Sequence, residues 1–158
     1  MDVALEQLTP GDKRGTCGRH GLTIIHVVLI AGDVGGTNTR LGLFARDAAR
    51  PRSVLTREYE SQRYATFEEI LSAFVADLGG VSVDAAAIGV AGPILQQTAR
   101  LTNIDWEVSA SGISAQLGGS KVILLNDLEA MAWSIPVLSA SELHVLQAGV
   151  PQPVGNAA

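Results

Sequence analysis

Three short stretches of this 158-residue chain hold side chains whose types and spacing could do chemistry. The first is Gly32-Asp33-Val34-Gly35-Gly36-Thr37-Asn38-Thr39-Arg40, a glycine turn between two apolar runs. Glycines at 35 and 36 can take positive φ and let the backbone approach a ligand closely, while Asp33 leaves a carboxylate at the mouth of the turn. Amides in such a turn can hold phosphate oxygens, and the carboxylate can hold a hydrated Mg2+ beside them. The same residues would equally make a Gly-Gly hairpin with a solvated aspartate. Neither G-x-G-x-x-G nor a G-K-[ST] ending is present, which sets aside two better-known phosphate loops.

The second stretch is Asn126-Asp127, directly after the apolar run Lys121-Val122-Ile123-Leu124-Leu125. A carboxylate held at the end of a strand can serve as a general base toward a hydroxyl. Asn and Asp are also the preferred helix N-caps, and a carboxylate there is stabilised by the helix dipole, so a purely structural cap is the competing reading. The third is Thr102-Asn103, where the amide of Asn103, like that of Asn126, could hold neighbouring hydroxyls as in polyol sites. Trp106 close by reads as a core anchor before a sugar platform.

The elements that must position these groups follow from periodicity. Residues 22–31 are rich in β-branched side chains and too short to span a bilayer as a helix, so they read as a buried strand. A second strand is expected from Thr37 to Arg46 and a third from Val54 to Tyr59. Thr66-Phe67-Glu68-Glu69 is a capping box; Phe67, Ile70, Leu71, Phe74 and Val75 then form one apolar helical face that stops near Gly79-Gly80. A central strand at 85–91 leads to Gly92-Pro93, a hairpin-like excursion through Gln97 to Leu101, a short helix at 111–117, a strand at 121–125 and a last helix up to Pro136. Three strands, then helix, strand, helix, strand and helix make an α/β fold with a mixed sheet. Sites on such sheets gather at the carboxyl ends of strands, where all three polar stretches fall. The expected organisation is a flexible extension at 1–21, one lobe at 22–150 and a loop-like tail at 151–158.

Composition narrows the function classes. A net charge of −5 excludes the clustered positive field that nucleic-acid binding needs, since Lys13, Arg14 and Arg19 form the sole basic cluster. One cysteine, Cys17, allows no internal disulfide and no multi-cysteine zinc site, which fits a reducing cytoplasm. The basic cluster before an apolar run imitates a secretory signal, but the run leads into Asp33-Val34-Gly35-Gly36 rather than a small-residue cleavage site. Charged residues make up 17%, below the roughly 25% of soluble domains, so some apolar surface is expected to face further protein.

Four ordered motifs together resemble the bacterial glucokinase family, within the superfamily of sugar kinases and actin. They are Gly32 to Arg40, Gly89-Val90-Ala91-Gly92-Pro93-Ile94, Leu101-Thr102-Asn103-Ile104-Asp105-Trp106 and Leu125-Asn126-Asp127-Leu128-Glu129-Ala130. The resemblance covers about residues 22 to 150. It implies a ribonuclease-H-like (actin-like ATPase) α/β lobe, with a mixed β-sheet and flanking helices, in a soluble cytoplasmic enzyme of glycolysis. The implied reaction transfers the ATP γ-phosphoryl group to the 6-hydroxyl of glucose, with Mg2+ as cofactor and with no membrane or nucleic-acid partner. By the same resemblance Asp127 matches the catalytic base, Asn126, Asn103 and Thr102 the sugar side, and Asp33, Gly35, Gly36, Thr37 and Arg40 the phosphate and Mg2+ side. Arg40 belongs to the pattern without an assigned contact, and a homodimer stays open for the full-length form. Family members continue past the position of Ala158 into a second glycine-rich motif and a larger lobe. The expectation is therefore half an active site, binding glucose weakly and phosphorylating it negligibly. His20 and His144 read as surface histidines. The alternatives are a non-catalytic sugar- or nucleotide-binding relative, including a sugar-sensing repressor, and an actin-like ATPase lobe, for which the Asn126 to Ala130 pattern is wrong.

Overall fold

The computed structural model describes residues 28–146 and 149; the expected extension at 1–21, the first residues of the expected first strand and the tail at 151–158 lie outside them. A five-stranded sheet, ordered β3-β2-β1-β4-β8, carries the lobe. Its strands are β1 (Val28–Val34), β2 (Asn38–Ala45), β3 (Arg52–Glu60), β4 (Ala85–Val90) and β8 (Lys121–Asn126). β1 pairs antiparallel with β2 and parallel with β4, and β8 is parallel to β4, so the sheet is mixed as the element order predicts. A small antiparallel sheet of β5 (Ile94–Leu95), β6 (Thr98–Arg100) and β7 (Glu107–Ser109) stands beside it. β7, three residues long, is absent from the sequence-based order.

Alternation along the strands sorts the faces. Val28, Ile30 and Val34 on β1, Leu41 and Leu43 on β2, Ala86, Ile88 and Val90 on β4 and Leu124 on β8 are all buried. They share one core with Phe67, Ile70, Leu71 and Phe74 of α1 (Phe67–Asp77) and Ile113 of α2 (Ala110–Gln116). Thr66 caps α1, its side chain accepting from Glu69 N, while the Glu69 carboxylate reaches one residue further back to Ala65 N. α1 ends at Leu78, and Gly79 and Gly80 follow at φ +61° and +87°, the left-handed backbone expected of glycines after a helix.

The opposite face is open over much of its area. Leu29, Ala31, Phe44, Ala87, Ile123 and Val137 line an apolar hollow of about 570 Å3 there. α3 (Asp127–Ser134) crosses the upper end of this face with Ala130 Cβ 3.5 Å from where a Cβ on Gly89 would sit. No residue of α3 is buried, and Leu128, Met131 and Trp133 are about two-thirds exposed, in keeping with the apolar surface expected from the low charge content. No helix among the described residues is long and apolar enough to cross a membrane.

Candidate active site

Register brings the three polar stretches to one edge of the sheet. Val34, Val90 and Asn126 are partners across β1, β4 and β8, so the carboxyl ends of three adjacent parallel strands finish level. Asp33, Gly89 and Leu125 form the row below, so Asp33 stands about 10 Å, two strand spacings, from Leu125, and Asp127 follows two residues beyond Leu125 at the start of α3.

The glycine turn is built differently from its expected form. Neither Gly35 nor Gly36 has positive φ, and Asp33 is the penultimate residue of β1 rather than part of the turn. Close approach is what requires these glycines. A Cβ on Gly36 would lie 2.8 Å from Asn103 Cβ, and one on Gly35 would lie 3.0 Å from the Asn38 carbonyl oxygen. The glycine turn and the 101–106 loop thus touch through Gly36 and Asn103. Gly35 N donates to Asn38 O at 3.1 Å, and the N–H groups of Gly36 and Thr37 have no partner among the described residues. Ser61, outside the sequence-based set, pins this turn from beneath, and Thr39 backs it. Ser61 Oγ donates to Gly35 O at 2.7 Å, Ser61 N donates to Thr37 O at 2.8 Å, and Thr39 Oγ1 lies 3.0 Å from Ser61 Oγ. Nothing local singles out Ser61, which stands in the polar stretch Ser61-Gln62-Arg63 after β3; Thr39 shows itself only as the inward member of β2's alternation.

Asp33 is exposed and makes no ion pair among the described residues. Arg40 stands opposite it on β2, yet its Nη2 bonds Glu58 Oε2 of β3 at 3.0 Å. The sheet thus carries Arg40 away from the turn's amides and leaves the Asp33 carboxylate open to solvent. No cluster of three or more His, Cys, Asp or Glu occurs among the described residues.

At the far strand the cap is Asn126, not Asp127. Asn126 Oδ1 accepts from Leu128 N at 3.1 Å, and its Nδ2 donates to Gly92 O at 3.0 Å, fastening the Gly92-Pro93 turn to β8. Asp127, the first residue of α3, has Oδ1 held by Leu128 N at 2.9 Å, which leaves Oδ2 for another partner. Thr102 and Asn103 are exposed in the loop 101–106, with Thr102 Oγ1 donating to Asn103 Oδ1 at 3.2 Å. Trp106, 3% exposed, anchors that loop as a core residue, and Leu101 N donates to Trp106 O at 3.0 Å. A second fastening links the small sheet to β8: Gln97, at φ +58°, accepts from Leu124 N through Oε1 at 2.8 Å. His144 is exposed, as expected. The apolar hollow on the open sheet face shares none of these polar groups and is not the site.

A family model described as Glucokinase matches residues 30–158. A glucokinase of Nostoc punctiforme is 33% identical over 127 residues, covering 80% of this chain and 37% of the relative. Among solved structures, a glucokinase from an Antarctic psychrotroph has TM-score 0.71 at 25% identity, covering 80% of this chain and 40% of its own. A ROK family glucokinase from Streptomyces griseus, in complex with glucose and AMPPNP, has TM-score 0.54 at 28% identity, with 72% and 38% covered. The chain spans about two-fifths or less of the length of these relatives.

Proposed function

The chain belongs to the glucokinase family, and from that premise we propose that it forms one wall of a hexose kinase site, serving transfer of the ATP γ-phosphoryl group to the 6-hydroxyl of glucose. The observation that carries the reading is the level finish of β1, β4 and β8, which sets the glycine turn, the Thr102-Asn103 loop and Asp127 around one sheet edge.

In this reading Asp127 Oδ2 accepts the proton of the 6-hydroxyl as that oxygen attacks the γ-phosphorus and ADP departs. The hydrogen bond from Leu128 N to Oδ1 fixes the carboxylate's rotation, so the base is aimed before sugar arrives. Asn103 and Thr102 hold sugar hydroxyls from the neighbouring loop. Asn126 retains one N–H and one lone pair after its structural bonds, enough for a single sugar contact. The Gly36 and Thr37 amides receive phosphate oxygens, and Asp33 holds Mg2+ through water. Arg40 acts through its pairing with Glu58, by keeping the β2 edge of the turn in place. When bound, the metal neutralises charge on the phosphate oxygens; the protein's share is mainly positioning.

The 158 residues alone supply one wall, so we expect weak glucose binding and negligible turnover from them. Titration with glucose and with MgADP separately, followed by amide NMR, tests the reading. Glucose should move Asn103, Asn126 and Asp127, whereas MgADP should move Gly35 to Thr37. A nucleotide response without a sugar response would favour an ATPase-type lobe. Neither response at millimolar ligand would overturn the assignment. Joining residues 28–146 to the remaining part of the Nostoc relative should yield glucose-dependent ADP release.

A further inference from the structure

Thr39 and Ser61 are the two buried polar side chains among the described residues, each 0% exposed, and they lie beneath the glycine turn. We propose that Ser61 is a positioning residue for phosphate binding: its hydroxyl sets the Gly35–Gly36 peptide plane so that Gly36 N–H faces the ligand. This rests on the reading of that turn as the phosphate side.

The geometry supplies the mechanism. In a trans peptide the carbonyl of one residue and the N–H of the next point in opposite directions, and the described chain has no cis peptide. Ser61 Oγ holds the Gly35 carbonyl inward at 2.7 Å, so the Gly36 N–H is turned outward. Ser61 N donates to the Thr37 carbonyl at 2.8 Å, continuing the β2–β3 pairing, and so turns the Asn38 N–H away from β3. One residue therefore orients two of the three peptide planes of a turn whose glycines could otherwise rotate at little steric cost. The Gly36 N–H stays unpartnered, ready for an anionic oxygen, while the buried hydroxyl beside it is satisfied by Thr39 Oγ1 at 3.0 Å. Thr39 does not touch the turn's carbonyls. Its partner is Ser61, so it supports the hydroxyl that does the orienting.

This asymmetry between the two hydroxyls separates a positioning role from a merely structural one. Ser61→Ala removes the bond to Gly35 O, whereas Thr39→Val removes a buried hydroxyl of the same pair and leaves that bond in place. Both should lower the melting temperature. Affinity of the 158-residue chain for MgADP, read from the Gly36 amide resonance, should fall about fivefold in Ser61→Ala, the worth of one net hydrogen bond. It should stay within about twofold in Thr39→Val. Ser61→Cys, a weaker donor of similar shape, should fall between wild type and Ser61→Ala, and it serves if the alanine variant does not fold. Glucose affinity should be unchanged in all three. Equal nucleotide affinity in wild type and Ser61→Ala, or equal losses in Ser61→Ala and Thr39→Val, would overturn the positioning role with the phosphate turn intact. Absence of any MgADP response at residues 35–37 in the wild type would overturn the phosphate reading and this inference together.

Discussion

Replacing Gly36 by alanine probes the contact on which the site's geometry turns. The added Cβ would stand 2.8 Å from Asn103 Cβ, with Asn103 C and Cα at 3.7 Å. Carbon atoms prefer about 3.5–4.0 Å, so the two segments must separate by about 1 Å. The atom met is the root of a side chain next to backbone, so rotating a flexible tip gives no relief. The loop cannot swing freely either, because Leu101 and Trp106 are buried and joined by the Leu101 N to Trp106 O bond. Overpacking of this kind costs about 1–3 kcal/mol, which at about 4 °C per kcal/mol lowers the melting temperature by about 4–12 °C. Asn103 should shift in amide spectra and glucose affinity should weaken. Asn103→Gly removes the clashing atom, so the double variant should regain much of the lost stability, a coupling that a double-mutant cycle measures directly. Gly79→Ala is the contrasting case: nothing lies within 4 Å, φ is +61°, and its cost is backbone strain that leaves Asn103 unmoved. A Gly36→Ala protein with unchanged melting temperature and unmoved Asn103 resonances would refute the claim that turn and loop are in register through this contact.

Three further outcomes follow from local structure. Thr66→Ala removes the N-cap of α1 and should destabilise by about 1 kcal/mol in urea unfolding, with the slope unchanged. Asn126→Ala removes both the α3 cap and the bond to Gly92 O, so it should cost about 1–2 kcal/mol and loosen the 92–93 turn, seen as faster amide exchange there. Glu142 is held at a pKa of about 2, from an ordinary 4.5, first by the hydrogen bond from Arg50 and then by Ser139. A depressed carboxylate stabilises above its unfolded pKa, so the Arg50 to Glu142 tether should be whole above pH 4.5 and lost as pH falls toward 2. An NMR titration of the Glu142 carboxyl reads this, and since the pair is exposed, added salt should raise the midpoint.

Much of the fold is legible in the sequence because local signals and tertiary packing agree. Thr66 to Glu69 starts a helix by capping chemistry, and the spacing of Phe67, Ile70, Leu71 and Phe74 becomes the buried face of α1. Trp106 is the core anchor its size suggests. What escapes sequence reading depends on contacts far along the chain. The glycines at 35 and 36 look like positive-φ residues, yet Gly36 serves because Asn103, distant in sequence, packs against it. Asn126 takes the cap through Oδ1 while its amide donates to the carbonyl of Gly92, a partner far along the chain, and Asp127 becomes the first helical residue. Arg40 is claimed by Glu58 across a strand pair that residue spacing alone does not define. Ser61 lies in a polar stretch that reads as solvent-facing link until β3 returns it beneath the turn. The sheet order, with β1 central, likewise becomes visible only when β4 pairs beside it.

In the proposed reading Asp127 is the base at an edge shared by phosphate and sugar. Its most direct test is glucose-dependent ADP release by the chimera carrying residues 28–146 of this chain, compared with its Asp127→Asn variant. Turnover should fall by about 10²–10⁴ in Asp127→Asn, with the glucose dissociation constant kept. Turnover retained in Asp127→Asn would contradict it.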